Sequence, residues 1–372
     1  MAFSAYFDPA TWARVPFHFW SVVFFIFGTV VGSFLNVCIH RMPLGESVVF
    51  PPSHCPHCRY SIPWFLNLPL ATWLYLRGRC ANCGAPFSIR YFLVELLTGV
   101  LFLGSWLCSG HESPGVAFVD CLLISGLIVA TFIDLEHLII PDEITLGGVG
   151  AGLLASFLVP VLHQVTSLAD SLQQSFIGAL FGGGLVYGVL RAGKWAFGRE
   201  VIPLPPASRV IFSETALVLE DRQIPYEEVF YRESDVVKLR AERAELFDRC
   251  YLDVEIRLSP SKLYINEEEF EPENIPYLEV TTSRLYLPRE AMGLGDAKFM
   301  AGIGAFLGWP GVVFSLFASS VLGSIIGITI IAVRRQSRST QIPYGPYIAL
   351  AALIWIYAHT EIVRLFHLWI GR

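Results

Sequence analysis

The chain has 372 residues, 54% of them hydrophobic and only 16% charged, and its mean hydropathy is +0.54. These are membrane-protein values, and they exclude a wholly water-soluble enzyme built from two or three globular domains. The net charge of −6 is a local property: residues 199–290 hold 20 Asp/Glu against 12 Lys/Arg (−8), which leaves +2 elsewhere and gives no reason to expect a nucleic-acid partner.

Eight apolar runs approach the ~20 residues that cross a bilayer as a helix. They are Phe17–Ile39, Tyr91–Cys108, Val116–Ile133, Ile144–Leu162, Phe176–Leu190, Ala297–Leu307, Val312–Val333 and Tyr347–Ile370. The sixth is short and glycine-rich. Basic residues set the orientation: Arg41, Arg59, Arg77, Arg79 and Arg90 fall in one loop, Arg191, Lys194 and Arg199 open another, and Arg334, Arg335 and Arg338 follow the seventh run. The loops near 109–115, 163–175 and 308–311 have none. The positive-inside rule makes the basic loops cytoplasmic and puts both termini on the other side; Arg364 and Arg372 run against this at the last span. The first run has one preceding basic residue, Arg14, and no small-residue cleavage site, so it reads as a retained span.

The first span ends in Gly32-Ser-Phe-Leu-Asn36-Val-Cys-Ile-His-Arg41-Met-Pro43. Gly32 and Ser33 suit close helix approach, Asn36 needs an interhelical partner, and Arg41 is expected to reach up to the interface. The following loop carries Cys55-Pro-His-Cys58 and Cys80-Ala-Asn-Cys83, with 21 residues between the pairs. Two such pairs suit tetrahedral zinc, which would staple a loop too small to hold a core. His54 and His57 read as bystanders, and Cys38, Cys108, Cys121 and Cys250 as small hydrophobes. Glu95, one turn inside the second span, needs a partner, for which an Arg of the loop is the candidate.

Asp134 closes the third span, at the unfavourable end of the helix dipole, where helix stability does not recommend an acid. Pro141 starts a new segment, and Asp142 is a first-turn acid of the fourth span. The insert, 199–290, begins at Pro203, Pro205 and Pro206. Val210–Phe212, Ala216–Leu219, Leu252–Leu258 and Leu263–Ile265 read as strands and Val236–Phe247 as a charged helix, an α+β domain without a metal, nucleotide or nucleophile motif. Next comes Met292-Gly293-Leu-Gly295-Asp296-Ala-Lys298, with a carboxylate at the mouth of an apolar segment, a functional-site hypothesis by default. Ile342-Pro-Tyr-Gly-Pro346-Tyr347 is a stiff turn into the last helix.

With eight spans, Asp134 ends a helix on the cytoplasmic face and Asp296 opens one from the same face. Two carboxylates close together in a low-dielectric site share a proton, so one serves as base on a water and the other as acid toward carbonyl and leaving amine. Gly293 and Gly295 would let a substrate backbone pass close to Asp296.

On these residues the sequence resembles the type IV prepilin peptidase family, GxGD-type membrane aspartic proteases of bacteria. The likeness runs through Gly32–Val37 with Arg41 and Pro43, the four cysteines, Asn67-Leu-Pro69, Leu76–Cys80, Arg90-Tyr91, Glu95, Asp134, Pro141-Asp142, Gly293–Lys298 and Ile342–Tyr347. It implies an all-α polytopic protein of about eight transmembrane helices with a zinc-stapled cytoplasmic loop and the α+β insert. The divisions would be a first helix at 1–40, a four-cysteine loop at 41–90 in an N-terminal domain running to about 108, a peptidase core at 116–198 and 291–372, and the insert at 199–290. It further implies Asp134 and Asp296 as the catalytic pair, with Gly293, Gly295, Asp142, Glu95 and Lys298 in support. Structural zinc would sit on Cys55, Cys58, Cys80 and Cys83. The expected activity is cleavage of type IV prepilin or pseudopilin leaders at the cytoplasmic face of the inner membrane, followed by N-methylation of the new terminus with S-adenosylmethionine. Besides prepilins and the lipid bilayer, pilus or type II secretion components are candidate partners. Two rival readings stand beside it: a zinc-stapled membrane scaffold without catalysis, and a thiol–disulfide membrane enzyme. The insert is longer than the loop usual for the family at this point.

Overall fold

The computed structural model describes residues 9–197, 199–219, 222–230, 235–246, 249–275, 277–288, 293–334 and 343–371. Met292, Arg335, Arg338, Ile342 and Arg372, each named above, lie outside them. Two compact units form, Met1–Tyr187 with Leu294–Arg372, and Gly188–Gly293.

The first unit is helical. A single turn, α1 (Pro9–Trp12), precedes α2 (Phe17–Arg41); the zinc loop contains the short α3 (Ala71–Tyr75) and leads into α4 (Ile89–Ser109). Then come α5 (Pro114–His137), α6 (Asp142–Leu158) and α7 (Leu168–Phe197). Local chemistry explains several boundaries. Ser88 accepts the Arg90 N–H at the start of α4, and Ser113 caps α5 with Pro114 in its first turn. The α2–α4 contact is closest at two glycines, because a Cβ on Gly28 would stand 2.8 Å from Gly99 Cα and one on Gly32 2.8 Å from Glu95 Cα. The outer face of α2 bares Phe19, Val22, Ile26, Phe27, Val30 and Phe34, a surface suited to lipid.

Six helices are long and apolar enough to cross a membrane among the described residues, against the eight runs read from the sequence. The fourth run forms only the 17-residue α6. The sixth and seventh belong to one long element, α9 (Leu294–Arg334), interrupted at Gly308 with φ 68°. A straight helix would separate residues 304 and 312 by ~12 Å. Instead a Cβ on Gly304 would lie 2.9 Å from Val312 Cγ2, so the chain turns back at Gly308–Pro310. The last helix is α10 (Gly345–Ile370).

The second unit departs from the α+β expectation. It is an antiparallel sheet of β1 (Arg199–Ser213), β2 (Ala216–Val218), β3 (Gln223–Pro225), β4 (Val237–Glu245), β5 (Cys250–Leu258), β6 (Leu263–Ile265), β7 (Glu268–Phe270) and β8 (Tyr277–Pro288). Its strand order is β3-β2-β1-β8-β4-β5-β6-β7; besides the end of α7, its only α-helix among the described residues is the single turn α8 (Tyr226–Val229). Where a charged helix was expected over Val236–Phe247, of which Phe247 lies outside the described residues, Val237–Glu245 form strand β4. Its charges mask a period of two: Val237, Leu239 and Ala241 point into the core while Lys238, Arg240 and Glu242 point outward. The three prolines sit inside the first strand, β1, where the register with β8 shifts between Pro203 and Ser208. Proline cannot donate to the ladder, which accounts for the break.

Candidate active site and zinc knuckles

Asp134 and Asp296 are both buried, at 5% and 8% exposure. Asp134 lies in the last turn of α5, where its carbonyl accepts the N–H of Leu138, a residue in the left-handed conformation that ends the helix. Leu138–Pro141 then crosses to α6, and Ile140 of this crossing is the joint of the site. A Cβ on Gly295 would stand 3.5 Å from Ile140 Cβ, and one on Gly345 3.2 Å from Ile140 Cδ1. Thus the residue before Asp296, the first residue of α10 and the segment leaving Asp134 meet on one side chain. The Gly345 N–H donates to Asp134 Oδ2 at 2.8 Å. It is a free donor of the first helical turn, and it sits against the carboxylate that its own helix dipole disfavours.

The supporting residues divide. Lys298 Nζ donates to both carboxylate oxygens of Asp142, at 2.7 and 2.9 Å, tying the first turn of α9 to that of α6. Gly295 is in the first turn of α9 and Gly293 is exposed just before it. Glu95 does not pair with an arginine: it accepts the Leu70 backbone N–H at 2.8 Å and so anchors the zinc loop on α4. Arg90 instead pairs with Glu136, two residues past Asp134. Arg41 does not reach outward either. It is buried and donates to the carbonyls of Ser47 at 3.0 Å and Pro51 at 2.8 Å, holding the start of the loop. Asn36 has the interhelical partner it needs, the Tyr91 carbonyl at 3.1 Å.

Gly345, Ile140 and Glu136 escaped the sequence reading. A Gly-Pro pair at a helix start is adequately explained as a start, and an isoleucine in an apolar run carries no signal. Only the i, i+2 spacing of Glu136 from Asp134 offered a hint.

The four cysteines converge, every Sγ lying within 4.8 Å of the others; this is the one group of metal-ligating type among the described residues. The Cys55–Cys83 and Cys58–Cys80 sulfurs stand 3.8 and 3.9 Å apart. A tetrahedron with Zn–S bonds near 2.3 Å has edges of about 3.8 Å, whereas a disulfide needs ~2 Å. The spacing therefore fits a tetrahedral metal such as zinc. Each pair forms the same knuckle: Arg59 N–H donates to the Cys55 carbonyl and Gly84 N–H to the Cys80 carbonyl, both at 2.9 Å, and Arg59 and Gly84 share positive φ of 56° and 72°. The Asn82 side-chain amide donates to Cys58 Sγ at 3.6 Å and brings that thiol down to about 6, toward the thiolate a metal needs.

The helical unit thus holds two buried aspartates from distant helices beside one crossing segment. Residues 26–108 match the Bacterial Peptidase A24 N-terminal domain, and residues 121–201 and 275–328 match the Type IV leader peptidase family. The prepilin leader peptidase/N-methyltransferase of Aeromonas hydrophila is 30% identical over 369 residues, covering 92% of each chain. That of Stutzerimonas stutzeri is 26% identical with 89% of each covered, and that of Myxococcus xanthus 42% identical over 163 residues, 44% of this chain and 45% of that relative. No solved structure matches the chain. The chain belongs to the type IV leader peptidase family. The family match breaks between residues 201 and 275, within the β-sheet unit.

Proposed function

We propose that this protein is a bifunctional enzyme of the bacterial cytoplasmic membrane that cleaves the leader of type IV prepilins or pseudopilins and methylates the new amino terminus. Asp134 and Asp296 are the catalytic pair and face the cytoplasm. The observation that carries the reading is the meeting of Gly295, Gly345 and the Asp134 segment on Ile140; the printed names of the relatives supply the substrate class and the second activity.

Asp134, charged and hydrogen-bonded by the Gly345 N–H, takes a proton from a water as the water oxygen attacks the scissile carbonyl. Asp296, protonated, hydrogen-bonds the carbonyl oxygen as it becomes tetrahedral. Collapse breaks the C–N bond, and the leaving amine takes its proton from the pair, which returns to the singly protonated state. Lys298 and Asp142 splint the two helix starts. Zinc on Cys55, Cys58, Cys80 and Cys83 staples the loop and enters no step. S-adenosylmethionine, when bound, supplies the methyl group.

Co-expression with a prepilin that keeps its apolar stem, followed by mass measurement of the new terminus, tests both activities together. Asp134→Asn and Asp296→Asn should each abolish cleavage. Processing by either variant would refute the assignment and favour a scaffold.

A further inference from the structure

Residues 42–88 fold without an apolar core. All of them are described, and only Cys55, Gly78 and Cys80 are buried, as befits a segment too short to hold itself by burial. Its large apolar side chains face outward instead: Val49, Phe50, Trp64, Phe65, Leu74 and Tyr75 are all exposed, Phe50 at 73% and Trp64 at 80%. So much apolar surface on so small a segment calls for a cover, and the depth of the segment says which.

The loop folds back beside the helices. Leu70 donates its N–H to Glu95 at 2.8 Å, and Glu95 stands level with Gly32, a Cβ on which would lie 2.8 Å from Glu95 Cα. Gly32 precedes Arg41, the end of α2, by nine residues, or ~13 Å at 1.5 Å per residue. A groove of about 370 Å³ at this level has Val30 and Phe34 of α2 on one side and Val49, Pro51, Leu68 and Pro69 of the loop on the other. Val30 and Phe34 belong to the outer face of α2 that suits lipid, so the loop continues that face. The far end of the span is marked by Trp12, Trp20 and Trp106, which cluster around Phe17 in the manner of an interfacial aromatic belt. From Phe17 to Gly32 an upright helix rises ~22 Å. The hydrocarbon core is ~30 Å thick, so the loop beside Gly32 reaches ~8 Å into it, the depth of an interfacial segment.

Charge agrees with this depth. Residues 42–88 carry Arg59, Arg77 and Arg79, all exposed, against one acid, Glu46, a balance that anionic headgroups attract. We propose that the tips at Val49–Phe50 and Trp64–Phe65 enter the cytoplasmic leaflet beside α2, which makes the four-cysteine loop a re-entrant, phospholipid-bound platform. The acyl boundary takes the rings and the headgroups take the arginines. The proposal takes from the reading above only the side of the membrane, and it stands whichever reaction the chain performs.

The test uses the purified full chain in nanodiscs containing about one quarter phosphatidylglycerol. A benzophenone amino acid replaces Phe50, Trp64 or, as the reference on the lipid-facing side of α2, Phe34, and the products of illumination are read by mass spectrometry. Phospholipid adducts at 50 and 64 in yields comparable to that at 34 are expected. Their absence at either position, with 34 labelled, overturns the proposal. Adducts to an added prepilin in place of lipid also overturn it and make this a substrate surface. A second arm follows trypsin cutting after Arg59 and Arg77. Phe50→Glu combined with Trp64→Glu should lift the tips out of the leaflet and raise the cutting rate in nanodiscs about tenfold or more, with zinc still at one per chain. A rate equal to that of the wild type, with zinc retained, overturns the proposal.

Discussion

Gly345→Ala is the most informative single change in the peptidase site. The added Cβ would sit 2.7 Å from Asp134 Oδ2, 3.2 Å from its Cγ and 3.2 Å from Ile140 Cδ1. A relaxed carbon–oxygen contact is about 0.6 Å longer than the first of these, so the carboxylate, the start of α10 or both must move by that amount. The same shift weakens the 2.8 Å hydrogen bond from the Gly345 N–H. Misplacement of a catalytic group by a fraction of an ångström, with a weakened donor, costs roughly 10–100-fold in rate. The expected outcome is a fall of that size in kcat for leader cleavage, with KM nearly unchanged because the change acts on the Asp134 carboxylate. The assay is cleavage of a purified prepilin by variant enzyme in nanodiscs, with zinc content and thermal unfolding monitoring the fold. Cleavage at the wild-type rate by a folded Gly345→Ala protein would refute the assignment of this N–H to Asp134.

The remaining predictions concern the splint, the metal and one histidine. Lys298→Met or Asp142→Asn should change stability by less than ~1 kcal/mol, since the pair is largely exposed, yet lower cleavage several-fold; Asp142→Lys with Lys298→Asp should recover part of it, and a doubly slow reversal would show that the pair does not act as a splint. Cys80→Ser should lose bound zinc, measured by metal analysis, and open the 41–90 loop to protease; retained one-to-one zinc would exclude Cys80 as a ligand. His163 is held down at about 4, first by burial, against an ordinary 6.5. Below 6.5 the unfolded chain takes up the proton first, so stability present at neutral pH falls as pH drops through the window from about 6.5 to about 4. After discounting for partial exposure the loss is about 1 kcal/mol by pH 5. Thermal unfolding should show this pH dependence flattened in His163→Gln, which keeps an amide able to meet Ser156 Oγ, now 3.0 Å from the ring.

The one-dimensional patterns carried a good deal of the result. Long apolar runs have no soluble alternative, so the helices α2, α4, α5 and α10 were legible with boundaries good to within four residues. Two C-x2-C pairs constrain a tetrahedron almost wherever the chain places them, so the knuckles were legible too. Asp134 was visible because an acid at a helix C-terminus has no local benefit, and Asp296 because a carboxylate stands at the mouth of an apolar segment after two glycines. The β4 misreading shows the limit of such patterns. Its outward face is so charged that a strand looks like a solvated helix until cross-strand partners on β5 and β8 supply the other half of its hydrogen bonds.

Tertiary structure alone decided the partners. Glu95 was expected to meet an arginine, but the backbone N–H of Leu70, 25 residues earlier, satisfies it, because the loop folds back on α4. Arg41 turned inward for the same reason. The bend at Gly308 follows from a backbone conformation that a hydropathy profile does not register. Above all, what Gly345 and Ile140 do depends on helices some 200 residues apart in the chain, as the Gly345–Asp134 bond across 211 positions makes plain. Sequence spacing encodes neighbours along a helix or strand; the contact that orients the Asp134 carboxylate arises only when separate helices pack.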